Sequence, residues 1–229
     1  MTAREEVLGR IAAAHRAAPP PDLPYEALDR GYRTTSDLDA EALTERLVDR
    51  LLDYKALVRR CSAEELPATL AAALAERGAR SVVVPVGLPE AWLAELPADV
   101  AVRLDGTEPE DQLSVAELDR LDAVLSTCAV AVAETGTLVL DGGPGQGRRV
   151  ISLIPDYHLC VVQARELCAD VPQAVRRLDL TRPTTMISGP SATSDIELNR
   201  VEGVHGPRTL EVVLVAPSEP GPADVRRGA

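Results

Sequence analysis

Apolar positions recur along this chain with two periods, one of 3.6 residues and one of 2, and the switches between them outline the elements. Residues 2–17 place Val7, Leu8, Ile11 and Ala14 on one helical stripe. Pro19, Pro20, Pro21 and Pro24 then hold the chain extended, because proline cannot continue a helix. Ser36, Asp37 and Asp39 supply a helix N-cap. The helix they open runs to about Asp53, with Leu38, Leu43, Leu47, Val48, Leu51 and Leu52 as its inner face. A short strand is expected at 56–59. A second helix opens at Ser62 and closes at Gly78, a good C′ residue. Residues 81–86 read as a strand, Pro89 begins a short helix, and 100–104 is another strand.

The alternation continues through the second half. Residues 122–125 read as a strand, while 129–133 fit a short helix or a strand equally well. Residues 137–140 and 150–154 read as strands joined by the glycine-rich run 141–147. A strand is expected at 159–163, a helix at 169–178, a strand at 185–188, a helical turn at 195–200 and a last strand at 210–215. Strands alternating with helices over the whole body predict an α/β fold, an open sheet with helices on both faces. The expected organisation is an N-terminal helix (1–17), a proline-rich linker (18–35), one α/β domain (36–216) and a disordered tail (217–229).

Composition narrows the function classes. The chain has 229 residues, 45% of them hydrophobic, which suits one full-sized α/β domain. Aromatic residues make up only 2%, with no Phe and the single Trp92, so Leu, Val, Ile and Ala must build the core. The formal net charge is −12, which repels phosphate backbones and anionic membranes and argues against a nucleic-acid partner. No apolar run approaches the length of about 18 residues that a membrane-spanning helix needs. The N-terminus lacks the basic and apolar regions of a signal peptide, so the cytoplasm is the expected compartment. Cys61, Cys128, Cys160 and Cys168 include no C-x-x-C pair, and neither iron–sulfur nor zinc ligand spacing occurs. Cys128 and Cys160 sit in apolar runs and are expected as buried free thiols. No metal site and no redox centre is therefore expected in this chain.

Four segments carry candidate chemistry. In the first, Glu134, Thr135, Gly136 and Thr137 form a small-residue turn before an apolar strand. Gly136 permits a tight turn with exposed N–H groups, Thr135 and Thr137 add hydroxyls, and Glu134 is placed to act as base or nucleophile. A plain turn with a solvated Glu134 fits the same residues. The second is the glycine-rich run 141–147. A phosphate loop needs a helix after it, whereas 148–154 reads as a strand, so a hairpin connection is favoured, with Arg148 and Arg149 able to present an anion site at its rim. The third is 187–197, where Ser191, Thr193, Ser194 and Asp195 give a hydroxyl-rich helix start that suits a small anion or serves as an ordinary cap. The fourth is the run 203–208, where His205 and Gly206 form a loop before the last strand. His205 is a candidate acid/base group or a loop residue bonded to backbone. His15 and His158, the latter at a strand start, are read as structural or exposed.

Taken together, AETGTLVL (133–140), SLIPDYHLCVV (152–162), SGPSATSDIE (188–197) and GVHGPRTLEVVLV (203–215) resemble the LUD domain of the lactate-utilisation C family over roughly residues 36–215. The resemblance implies a fold like the NagB/RpiA/CoA-transferase group, with active-site loops at strand ends. It implies that the chain works with iron–sulfur partner proteins in oxidising L-lactate to pyruvate, and binds no cofactor itself. The ferredoxin-like cysteine motifs of the longer relatives are absent here. By analogy with the wider fold group, Glu134 and His205 are the candidate catalytic groups, with Thr135, Gly136, Thr137, Ser191, Thr193, Asp195 and Gly206 around a ligand. The alternative is a stand-alone enzyme or sensor for a small phosphorylated, CoA-linked or carboxylate ligand.

Overall fold

The computed structural model of the chain describes residues 2–17, 24–32, 35–194, 200–202 and 205–217. It divides into two compact units, residues 1–33 and 34–229. In the first, helix α1 (Ala3–Ala17) is opened by a reciprocal pair: the Thr2 N–H donates to Glu5 Oε2 at 2.8 Å, and the Glu5 N–H donates to Thr2 Oγ1 at 3.3 Å. Glu5 and Glu6 in its first turn and Arg16 in its last complement the helix dipole. Its Val7, Leu8 and Ile11 are exposed.

The second unit is built on a six-stranded, wholly parallel sheet. Its strands are β1 (Leu57–Cys61), β2 (Ser81–Pro85), β3 (Ala101–Asp105), β4 (Ala123–Thr127), β7 (Tyr157–Gln163) and β12 (Thr209–Val215), in the spatial order β1-β12-β7-β4-β2-β3. The central strands read as continuous apolar runs because a parallel sheet is covered on both faces. One face packs Val82, Val84, Leu125, Leu159 and Val213 against helix α3 (Leu66–Glu76). The opposite face meets helix α2 (Ala40–Asp53), helix α4 (Val115–Leu118) and a second, four-stranded sheet. That sheet runs β8 (Leu167–Cys168), β5 (Val130–Val132), β6 (Thr137–Leu140) and β9 (Thr185–Ile187) in spatial order. Helix α5 (Val171–Arg177), capped by Asp170, covers its outer side. Strands β10 (Ala192–Ser194) and β11 (Arg200–Glu202) pair antiparallel.

The predicted α/β architecture is what the chain forms. Asp39 caps α2 by accepting the Ala42 N–H at 2.8 Å, and Leu47 and Leu51 are its buried stripe. Residues 129–133 resolve as strand β5, paired with β6. Two expectations are overturned. Residues 150–154 are not a strand: Arg149–Ser152 is a 3-10 turn. Ile151 is driven into the core beside Leu118 and Val124, and the Arg148 guanidinium anchors the turn on Asp105 with two bonds of 2.7 Å. The run 141–147 is consequently no hairpin. It lies over the carboxyl ends of β2 and β4, where the Gly145 N–H donates to the Val86 carbonyl at 2.9 Å and the Gly145 carbonyl accepts the Thr127 N–H at 2.8 Å. Gly147 (φ 69°) is required there, since a Cβ would lie 2.5 Å from Ile151 Cδ1. The expected helical turn at 195–200 falls largely outside the described residues, and Ser194 and Arg200 on its flanks are strand.

Candidate functional site

A cavity of about 310 Å³ opens where the amino ends of β7 and β12 meet the outgoing end of β9. Its wall includes Arg149, Ser152, His158, Ser188, Ser191 and His205. His158 is the second residue of β7 and only 1% exposed. Its Nε2 lies 2.8 Å from Ser126 Oγ on the adjacent strand β4, while its Nδ1 has no hydrogen-bond partner among the described residues. Of the two readings of His158, structural or exposed, the structural one describes its position. Strand β7 begins two residues earlier than expected and carries the imidazole into the interior.

A file of polar side chains continues from His158 along the same face of the sheet. Ser126 is fully buried and its hydroxyl donates to Cys160 Sγ at 3.9 Å. Cys160 and Cys128 interact thiol to thiol, and Cys128 donates to the Glu166 carboxylate at 3.9 Å. Hydrogen bonding from Cys128, and then from His158 and Ser126, pulls the Cys160 thiol down against the opposing effect of burial. The bond to Cys160 and burial push the Cys128 thiol well up. Burial also pushes the Glu166 carboxyl up to about 7. The buried free thiols expected at 128 and 160 are present, but as interacting partners and not as inert core residues.

The rim is assembled from the predicted loops. The Ser191 N–H donates to the Pro207 carbonyl at 2.8 Å, and Ser191 Oγ accepts the His205 N–H at 2.9 Å, which joins the loop after β9 to the loop before β12. Gly206 lies beside them on the same wall. A hydroxyl chain reaches this rim from β6: Thr135 Oγ1 is 2.7 Å from Thr137 Oγ1, which is 2.8 Å from Ser188 Oγ. Gly136 (φ 59°) allows the turn to press on α2, since a Cβ there would lie 2.8 Å from Arg50 Cβ.

The structure therefore brings Ser191, His205 and Gly206 to one cavity and links Thr135 and Thr137 to it through Ser188. Glu134 is not among the lining residues; it is exposed and paired with Arg46 of α2 at 2.9 Å. Thr193 belongs to β10, and Asp195 lies outside the described residues. Sequence reasoning missed Ser126, Ser152 and Ser188 and undervalued His158. The one available signal was a polar pair, Ser126 and His158, inside otherwise apolar strands.

A second cavity of about 740 Å³ lies at the carboxyl ends of β2 and β3, against the glycine-rich run. Of the two arginines expected at its rim, Arg148 is committed to Asp105 and to the Leu113 carbonyl. Arg149 is exposed, makes no ion pair among the described residues, and borders both cavities. Among the described residues no group of three or more His, Cys, Asp or Glu side chains is placed to hold a metal ion. No helix among them is long and apolar enough to cross a membrane.

The sequence profile of the LUD domain matches residues 44–215. A Deinococcus radiodurans protein named Lactate utilization protein C is 45% identical over 217 residues, spanning 93% of this chain and 95% of the relative. A protein of the same name from Halalkalibacterium halodurans is 38% identical over 111 residues, 45% of this chain and 47% of the relative. The crystal structure of a DUF162 family protein from Deinococcus radiodurans superposes with a TM-score of 0.66 at 42% identity, covering 78% of this chain and 99% of that one.

Proposed function

The chain belongs to the LUD domain family, and from that membership we propose that it acts in lactate utilization as one subunit of an L-lactate-oxidising system. The observation that carries this reading is the 45% identity to a Lactate utilization protein C across nearly the full length of both chains. In this reading lactate is oxidised to pyruvate together with iron–sulfur partner proteins, which take the two electrons. This chain holds no redox cofactor of its own and works in the cytoplasm.

The arrangement of the cavity supports such a role. A buried imidazole, an arginine with no ion pair among the described residues and a rim of hydroxyls converge on a space sized for a small polar molecule. Glu134 and His205 remain the groups to test for chemistry. His205 borders the cavity directly, whereas Glu134 lies outside its lining, in the turn with Thr135 that precedes Thr137.

The test is reconstitution. The purified chain is combined with two iron–sulfur companions, and L-lactate-dependent reduction of a dye is followed with and without it. A rate that depends on this chain is the expected result. Full rate from the companions alone would remove the chain from the oxidase.

A further inference from the structure

We propose that His158, Ser126, Cys160 and Cys128 form a buried proton relay that joins the cavity at the amino end of β7 to the Glu166 carboxyl beyond its carboxyl end. The proposal rests on the reading above only in taking a proton-releasing reaction to occur in that cavity.

Strand geometry sets the file. Side chains alternate across a strand, so His158 and Cys160 share one face of β7. Ser126 stands opposite Cys160 in the β4–β7 register, and its Oγ is 2.8 Å from His158 Nε2 and 3.9 Å from Cys160 Sγ. Cys160 also interacts with the imidazole directly and with the Cys128 thiol. Cys128 lies just past β4, and its Sγ is 3.9 Å from Glu166 Oε2. Imidazole, hydroxyl, thiol and carboxyl can each give and take a proton.

Packing alone does not call for these residues. Ser126 and Cys160 are fully closed to solvent, and Cys128 and Cys160 belong to the core cluster of Leu47, Ala131, Leu138, Leu210 and Val212. Apolar side chains of similar size fill such positions without the cost of desolvating a hydroxyl or an imidazole. A line of polar groups through an apolar core is a departure of the kind that function imposes.

The two ends suit the task. His158 lines the cavity with Nδ1 unpartnered among the described residues. The Glu166 side chain keeps 11% exposure, which gives the file an exit to solvent. Burial raises its carboxyl to about 7, so near neutral pH it both takes and releases a proton. The transfer balances without another reactant. A proton taken up at Nδ1 displaces the one at Nε2 to Ser126. The Ser126 proton passes to Cys160, that of Cys160 to Cys128, and that of Cys128 to the Glu166 carboxylate. Every middle member ends with as many protons as it began with. The Ser126–His158 contact accommodates the proton on either atom, and the relay uses both placements. The file donates toward Glu166 before the transfer and toward His158 after it.

The experiment follows the imidazole while Glu166 titrates. Long-range ¹H–¹⁵N correlation spectra of the full chain are recorded from about pH 5 to about pH 9, with the three imidazoles assigned by His15→Gln and His205→Gln. Among the described residues, the charged and titratable neighbours of the two ends are Arg165, 3.8 Å from Glu166, and Arg149 and His205, which share the cavity wall with His158. The His158 ring nitrogens are expected to shift with an inflection near 7 that persists in His205→Gln and vanishes in Glu166→Gln. Cys128→Ala keeps the carboxylate charge but cuts the file, and is expected to remove most of the inflection; Cys128→Ser is expected to restore it. Exchange of the His158 ring proton with solvent is expected to slow at least about tenfold in Glu166→Gln and in Cys128→Ala, while the amides of β4 and β7 exchange at the parent rates. No inflection near neutral pH, one that survives Glu166→Gln, one undiminished in Cys128→Ala, or unchanged ring-proton exchange would each overturn the relay. The dye-reduction assay separates the two ideas. A chain required for the rate whose His158 does not respond to Glu166 loses the relay and keeps the proposed function. A chain with a responsive His158 that is dispensable for the rate keeps the relay and loses the function.

Discussion

Ser126 Oγ and His158 Nε2 lie 2.8 Å apart on adjacent parallel strands, with both side chains shut off from solvent in the middle of the sheet. Nδ1 of the same ring has no partner among the described residues, and besides this contact the imidazole interacts only with the Cys160 thiol among the described side chains. Ser126→Ala therefore removes the close partner of the imidazole and leaves it only the weaker interaction with the Cys160 thiol. The expected loss is about 1–3 kcal/mol of stability, the desolvation cost of an orphaned buried group. Urea unfolding should show a lower midpoint with an unchanged slope; an unchanged midpoint would mean that the pair contributes nothing.

A second buried polar group is held from two sides. Glu211, 1% exposed on β12, accepts the Tyr157 hydroxyl at 2.8 Å and is bonded by the Arg59 guanidinium from β1. Arg59→Met removes the cation and strands the carboxylate. The expected cost is about 3 kcal/mol, at the low end for a broken buried pair because Arg59 keeps 26% exposure. Adding Glu211→Gln to Arg59→Met should recover part of that loss, since the charge left behind is then gone. A double variant no more stable than Arg59→Met would contradict the account.

Glu134 pairs with Arg46 at 2.9 Å across a surface where both side chains are more than a third exposed. Exposed pairs of this kind contribute about 0–1 kcal/mol. Glu134→Gln is therefore expected to move the thermal midpoint by no more than a few degrees in this chain. That makes it a clean variant for the reconstituted assay: a large fall in rate would then report chemistry lost at Glu134, and an unchanged rate would remove it from the mechanism. A collapse of the fold would show that the pair matters more than its exposure allows.

What the sequence disclosed and what it withheld divide along physical lines. Helix α2 was legible because Asp39, Leu43, Leu47 and Leu51 state a cap and a 3.6-residue stripe within one short window. Strand β2 was legible as an apolar run closed by Pro85. The Arg149–Ser152 turn was not, because a five-residue apolar stretch fits strand and helix alike. Contacts from elsewhere decided it: Asp105 holding Arg148, and Leu118 and Val124 receiving Ile151. The site shows the same limit. Ser191, His205 and Gly206 were found because loop glycines and hydroxyls mark themselves locally. The partners of His158 and Cys160 were not, because Ser126 and Cys128 meet them only after β4 and β7 pair, across about thirty residues of chain.

The end of that polar file sets the pH dependence of stability. Burial raises the Glu166 carboxyl from an ordinary 4.5 to about 7 in the folded chain, although the Gln163 N–H donates to it at 2.8 Å. Between these two values the folded state holds the proton and the unfolded state has released it. Fewer protons are then bound unfolded than folded, so this group makes stability fall as pH rises from about 4.5 to about 7, after which its penalty is constant. With only 11% of the side chain exposed, solvent relieves little of the cost. The full penalty above the window is at most about 3.5 kcal/mol, since each tenfold change in proton affinity corresponds to about 1.4 kcal/mol. Glu166→Gln keeps an oxygen for the Gln163 N–H and removes the titration. The variant is expected to be more stable than the parent at pH 8, to differ little from it at pH 4.5, and to lose the downward slope between. Denaturant midpoints measured at closely spaced pH values across that range would show it. Parallel profiles for the two chains would mean that Glu166 titrates as an ordinary surface carboxylate.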